Sequence, residues 1–380
     1  MSPFPHLDKR QTLLAAALAL PLLLRLLRTR RGPSREQVLP PSSERVVLLG
    51  ASSGIGKDLA VAYAKRGAKI CLVARRAEVL DDVRDQLVAL GLPADRVLCV
   101  PADITKVDDL IAVREAVLEA WEGFDTLHIL AGVPSTRTLL QLAGVNLVPD
   151  PTDTSAKPRL IPTAIDETGN LAPTSLPAKA GLDALAIEAR ACGEINYVGT
   201  VLALATFLPL LASTSPSPAV HHLSSVAAAI AAPSRCLYSA TKAAAYMAVE
   251  SARVECEGMG VRFFSLLPGT IDNEFRTKTA TAQTGGNCEV HNGVKSQWGD
   301  KILLKPSQVV DTVLTHLALP TGKYPLIPYP PFSWISGLAL PPKPTFFLPF
   351  IYKAATILQL TPLGYLYVEP NARKKYGLRA

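Results

Sequence analysis

A chain of 380 residues with 48% apolar residues is long enough to bury a large core, and its composition excludes a disordered protein. The net charge of +7 is modest for this length, and its excess collects at the two ends, in Arg25, Arg28, Arg30, Arg31 and Arg35 and in Arg373, Lys374, Lys375 and Arg379. No basic stripe is interleaved with aromatics along the middle of the chain, so no nucleic-acid partner is expected, and the terminal charge points to an anionic membrane surface.

Residues 13–24 form an uncharged apolar run that ends in an arginine cluster. The run falls short of the roughly 20 apolar residues of a full span. No small-residue cleavage site follows it, so it reads as an uncleaved anchor within residues 1–43 rather than as a signal peptide. More positive charge follows the run than the Lys9 and Arg10 that precede it. That asymmetry places the body of the protein on the cytosolic side of a membrane, expected to be the endoplasmic reticulum. Six scattered cysteines without paired spacing read as reduced; Cys288 with His291 is half a metal site at most, and no metal is expected.

The stretch from Arg45 to Ala60 organises the rest. Val46 to Leu49 is too short and too apolar for a surface helix and suits a parallel strand buried on both faces. Gly50, Gly54 and Gly56 follow, with Ser52, Ser53 and Ile55 between them, where side chains would block a tight turn, a diphosphate or close helix packing. A helix starting near Ile55 aims its free N–H groups at any anion on that loop. After a helix ending at Gly67, residues 69–73 supply the second strand of a βαβ unit.

Further along, residues 76–90 carry a helical apolar period, 96–100 a third strand, 107–121 a helix and 126–130 a fourth strand. Strands and helices in this rhythm predict a Rossmann-like, doubly wound parallel sheet of the α/β class. Residues 133–181 break the rhythm with Pro, Thr, Asp and Ser, and read as a mobile surface insertion with turn chemistry at 149–153. A long helix is expected over 182–211, a fifth strand over 219–223, a helix over 238–256 and a sixth strand over 261–266. Residues 270–300 read as a flap, 307–319 as a helix and 324–327 as an edge strand. A single catalytic domain is thus expected over 44–327. The Pro-punctuated, aromatic extension over 328–380 either packs on that domain or lies on a bilayer.

Tyr238 and Lys242 lie four apart at the start of a helix and share one face. An ammonium one turn away favours phenolate over phenol, which suits proton transfer at neutral pH. Ser225 lies thirteen residues before Tyr238, just past the fifth strand, at the carboxyl edge where open α/β sheets bind ligands. His221 and His222 read as satisfied core groups or as supports one layer behind the site, and Cys236 as a lining residue.

With these residues in place the chain resembles the short-chain dehydrogenase/reductase family over about residues 45–319. The resemblance implies a cofactor loop at Gly50 to Gly56, an adenine-contacting Asp103, and cofactor contacts at Ala131, Gly132, Pro268, Gly269 and Thr270. It also implies that Tyr238 is the acid/base, that Ser225 orients the carbonyl, that Lys242 binds the nicotinamide ribose, and that Asn196 positions a water for proton relay. The pattern departs at Leu49, where the family usually has Thr, and at 129–132, which lacks the Asn of the usual Asn-Ala-Gly turn.

An NAD site usually carries an acidic residue about 20 positions beyond the loop; here Arg75 and Arg76 stand there, so NADP(H) is the expected cofactor. The expected activity is interconversion of a lipophilic ketone and secondary alcohol, such as a ketosphingoid, acyl or steroid-like lipid, with homo-oligomerisation possible. The rival is a non-catalytic nucleotide-binding protein of the same fold.

Overall fold

The computed structural model describes residues 33–155, 158–165, 170–171, 174–273, 275, 303–319, 324–325, 339–340, 345–349, 351–359 and 364–371. The anchor run, most of the 270–300 flap, Cys288, His291, Trp334 and Phe350 lie outside the described residues.

A one-turn helix, α1 (Arg35–Val38), is closed by a reciprocal capping box between Ser34 and Gln37. Then come β1 (Arg45–Leu49), α2 (Gly54–Lys65), β2 (Lys69–Ala74), α3 (Ala77–Ala89), β3 (Val97–Pro101), α4 (Val107–Trp121) and β4 (Thr126–Ile129). The expected surface insertion is folded instead: α5 (Leu139–Leu142) leads into an antiparallel hairpin of β5 (Val145–Pro149) and β6 (Leu160–Ala164). Val145 and Ala164 pair and are buried, which ties the hairpin down, while Asp150 caps its turn by accepting from Thr152 N at 2.9 Å.

The long helix expected over 182–211 is two helices, α6 (Lys179–Gly193) and α7 (Gly199–Thr214), joined by one π-helical turn, Glu194–Val198. By length and composition 179–214 is apolar enough to cross a membrane, yet Phe207, Leu208 and Leu211 fill the core, as a central helix of a globular domain does. β7 (Ala219–Leu223), α8 (Cys236–Glu255), β8 (Arg262–Pro268) and α9 (Pro306–Ala318) follow. The expected edge strand at 324–327 is corrected: β9 (Tyr324–Pro325) pairs only with β10 (Ala339–Leu340) in a small separate sheet. The main sheet ends instead on β11 (Thr345–Leu348), parallel to β8, and α10 (Ile351–Leu358) follows it. The sheet therefore draws a strand from beyond the boundary at 327, and Phe346 is buried in its core.

Seven parallel strands run in the order β11-β8-β7-β4-β1-β2-β3. The chain winds outward from β1 to β3, then crosses to β4 and beyond, so the direction reverses between β1 and β4. A crevice opens at the carboxyl ends of such a pair. Side chains alternate across the sheet: Val46 and Leu48 pack with α2, α3 and α9, while Val47 and Leu49 pack with α4 and α7. Full burial of each such side chain contributes about 1.5–3 kcal/mol.

At the amino ends of the strands Arg35 is buried rather than free for a lipid surface. It donates to Glu44 Oε1 at 2.5 Å, Thr126 Oγ1 at 2.7 Å and the carbonyls of Asp125 and Ser217 at 3.1 Å. Beside it Arg45 forms a two-pronged pair with Asp125 at 2.9 Å.

Candidate active site

The loop after β1 hooks onto β2, with Gly50 N and Ala51 N donating to Val73 O at 2.9 and 3.0 Å. Gly50 has φ +105°, and a Cβ there would stand 2.7 Å from Ala131 N; a Cβ on Gly56 would stand 2.0 Å from Gly50 O. Only glycine permits this approach. Ser53 occupies the N-cap of α2 without capping it through its side chain, so the first N–H groups of α2 stay open to an anion. A cradle that a methyl group would fill, with open donors behind it, fits the diphosphate of a dinucleotide.

One cavity of about 670 Å³ runs from this cradle along the carboxyl edge, within the range of small-molecule sites of about 300–1,000 Å³. Gly50, Ser52, Ser53, Gly54, Ile55 and Gly56 line its floor; Arg75, Arg76 and Asp103 its outer end; Ala131, Gly132, Pro268, Gly269 and Thr270 its middle; Ser225, Tyr238 and Lys242 its inner end. Arg75 and Arg76 are exposed, and neither is paired with a carboxylate among the described residues. Asp103 accepts from Thr105 N and Oγ1, which fixes its carboxylate at the end of β3.

Asn196 lies behind the lining. The π turn sets it on the inner face of the helix, where its Oδ1 accepts from Val133 N at 2.8 Å and its Nδ2 donates to Val133 O and Thr241 Oγ1, both at 3.0 Å. Its carbonyl accepts from Thr200 Oγ1 at 2.9 Å. Asn196 thus braces the strip after β4, the task left open by the missing Asn of the Asn-Ala-Gly turn. Leu130 and Ala131 add bonds to Leu49 O.

Lys242 is buried; its ammonium donates to Leu223 O at 3.1 Å, and a Cβ on Gly132 would lie 3.2 Å away. Burial lowers it from the usual lysine value of 10.5 to about 8, which leaves it mainly charged at neutral pH. Ser225 turns the chain after β7, its Oγ accepting from Ala227 N at 3.2 Å. Ser224 also lines the cavity, and its buried Oγ has no partner among the described residues.

One expectation fails here. Cys236 is exposed on the first turn of α8 and does not line the cavity. Among the described residues neither ring nitrogen of the buried His222 is bonded, nor is Nε2 of His221, whose Nδ1 lies 2.9 Å from that of His128; the charge of Lys242 acts on the His222 ring, which fits a support behind the site. Phe275 went unnoticed in the sequence because it falls in a polar segment; its ring centroid lies 6.1 Å from that of Tyr238. Val133, Val226 and Ile271 give the inner end an apolar wall.

A doubly wound sheet with a glycine cradle at its switch point defines a dinucleotide-binding protein of the oxidoreductase kind. The short chain dehydrogenase pattern matches residues 44–148 and 149–284, more than half of the chain, and the protein belongs to that family. The 11-beta-hydroxysteroid dehydrogenase 1A of Arabidopsis thaliana is 30% identical over 229 residues, covering 60% of this chain and 52% of the relative. The 11-beta-hydroxysteroid dehydrogenase-like 2 of the same plant is 40% identical over 91 residues, 24% and 29% of the two chains. The chain therefore spans about half or less of the length of these relatives. An uncharacterized oxidoreductase of Myxococcus xanthus is 26% identical over 292 residues, 77% of this chain and 96% of the other. Among solved structures, an alcohol dehydrogenase of Thermococcus sibiricus complexed with 5-hydroxy-NADP shares the fold with TM-score 0.51 at 23% identity, over 73% of this chain and 92% of that one.

Proposed function

We propose that this protein is an NADP(H)-dependent oxidoreductase that reduces a lipophilic ketone to a secondary alcohol from a membrane surface. The observation that carries the reading is that the glycine cradle, Ser225, Tyr238 and Lys242 line one cavity. NADPH, when bound, supplies the hydride. Gly50 to Gly56 and the N-terminus of α2 would hold its diphosphate, and Arg75 and Arg76, standing where an NAD site usually carries an acid, would pair with its 2′-phosphate. Ser225 polarises the substrate carbonyl. Tyr238 gives its phenolic proton to the carbonyl oxygen, and the Lys242 ammonium stabilises the phenolate left behind.

The apolar inner wall favours a lipophilic substrate, and the names of the plant relatives agree with a steroid-like ring system or a comparable lipid. The apolar run at 13–24 and its arginines support attachment to the endoplasmic reticulum with the catalytic domain in the cytosol. Exposed Ile357, Leu366 and Tyr367 add apolar surface at the other end of the chain. The test is a turnover screen of lipid extracts with NADPH and NADH: ketone consumption with NADPH alone is expected. Equal turnover with NADH refutes the cofactor assignment, and no turnover of any lipid ketone refutes the activity.

A further inference from the structure

The helix α10 has an inner and an outer side, and the chemistry above uses neither. It starts just after β11, at the carboxyl edge where the cleft opens. On its inner side the Tyr352 ring stands 2.7 Å from the position of a Cβ on Gly269. One residue past its end, Gln359 prolongs the helix, its N donating to Ala355 O at 3.0 Å, and its Nε2 donates to Ala229 O at 2.6 Å. Ala229 closes the turn of Ser225, Val226 and Ala227, and Gly269 leads into Thr270 and Ile271; all of these except Ala229 line the cavity. One helix thus backs two walls of the cleft.

Residues 352 and 359, seven apart, share a helix face, whereas 357 falls about 140° round from 352. Ile357 is 62% exposed there, and the π-helical turn Gly364–Val368, which packs on α10, exposes Leu366 and Tyr367 at 61% and 62%. From Leu366 onward the sequence sets four cations, Arg373, Lys374, Lys375 and Arg379, against one side-chain carboxylate, Glu369. Apolar and aromatic groups beside a basic run match an anionic lipid surface, with hydrocarbon below and phosphate above. The anchor run reaches the domain from the other edge, because Arg35 is held at the amino ends of the strands. Residues 25–34 stretch to at most about 33 Å, and a five-residue strand is about 17 Å long. The tether therefore lets the cleft edge turn to the same bilayer.

We infer that α10 and the turn after it form a bilayer-docking face, and that lipid contact on its outer side firms the substrate walls held on its inner side. The inference rests on the membrane attachment and ketone reduction proposed above. A helix of eight residues is marginal by itself, so its order depends on what packs against both of its faces. The cleft supplies one of them and the bilayer the other. Tyr352 and Gln359 carry the effect inward as positioning residues, without touching the reacting atoms.

The test uses the full chain with vesicles of phosphatidylcholine and phosphatidylserine whose acyl chains carry bromine, a contact quencher of indole. Tyr367→Trp is expected to show quenching beyond that of wild type, and adding Ile357→Glu with Leu366→Glu should abolish it while the anchor keeps the protein on the vesicles. On the same vesicles, hydrogen exchange at the amides of Ala227 to Ile230 is expected to slow about tenfold in wild type, the worth of one apolar side chain entering lipid. Gln359→Leu should keep the quenching and lose the slowing, and it should raise KM for the ketone with NADPH affinity unchanged. Absence of added quenching overturns the docking face, and a cross-linked dimer lost in Ile357→Glu with Leu366→Glu would give that face to a second copy instead. Undiminished slowing in Gln359→Leu overturns the coupling. No turnover of any ketone would sink the proposed function, and quenching and exchange would then judge this inference by themselves.

Discussion

The two ends of the parallel strands treat buried charge in opposite ways. At the amino ends, Arg35, Glu44, Arg45, Asp125 and Thr126 saturate one another. At the carboxyl ends Lys242 donates to a single carbonyl, and the side chains of Ser224, His222 and Ser265 have no partner among the described residues. A satisfied network fixes how the chain enters the sheet; an under-satisfied one retains groups whose protons can move. The same chain builds a clamp at one edge and a reactive cleft at the other.

Breaking the reactive edge should give the largest effect. Tyr238→Phe removes a hydroxyl and keeps the ring, so turnover is expected to fall by about 10² to 10⁴ while NADPH binding, followed by fluorescence titration, persists. A loss below about tenfold would count against the acid/base role.

At the clamp, Arg35→Ala leaves Glu44 buried and unpaired. Removal of one member of a buried pair costs about 3–5 kcal/mol, so the denaturation midpoint should drop, while kcat per folded molecule should not change. A changed kcat at an unchanged midpoint would erase the distinction between the two edges.

The contrast sharpens at the cavity mouth, where Arg75 is exposed and has no carboxylate partner among the described residues. Arg75→Asp is expected to weaken NADPH binding about 10- to 100-fold, the worth of a charge-assisted bond of about 1.5–3 kcal/mol, with NADH affinity held or improved. Equal wild-type affinity for the two cofactors would refute the assignment.

The smallest effect concerns pH. Lys242 titrates at about 8 when folded, below its usual 10.5, so its charge disfavours folding at neutral pH. That penalty is fully present below pH 8 and is lifted as pH rises from about 8 through 10.5. Measured against Lys242→Met by denaturation at pH 7 and pH 9.5, wild-type stability should gain on the order of 1–3 kcal/mol across the window, and turnover should fall above about pH 8 as the ammonium is lost. A pH-independent difference between the two proteins would show that Lys242 is not the group titrating there.

Much of the reactive edge was legible in the sequence because its signals are local. Val46 to Leu49, the glycines and the Tyr238–Lys242 spacing need no tertiary contact to be read, and they fall where the cavity forms. The clamp was not legible: a buried arginine looks like its exposed neighbours until Glu44 and Thr126 are brought to it. Helical periodicity runs through 182–211 without revealing one extra residue per turn, so the π turn at Asn196 passed as regular helix. The hairpin at 145–164 escaped because its strands are half exposed and rich in turn formers. Thr345 to Leu348 escaped because a four-residue strand among prolines carries no period of its own.

That last strand has a consequence for the order in which the protein is made. Gly269 N donates to Leu348 O at 2.7 Å, the Tyr352 ring stands 2.7 Å from where a Cβ on Gly269 would be, and Gln359 Nε2 holds the carbonyl of Ala229 at 2.6 Å. The turn under the nicotinamide end of the cleft is therefore finished by residues about 80 to 90 positions downstream of β8. A ribosome-bound chain that has emerged only through β8 has its glycine cradle but no wall behind it.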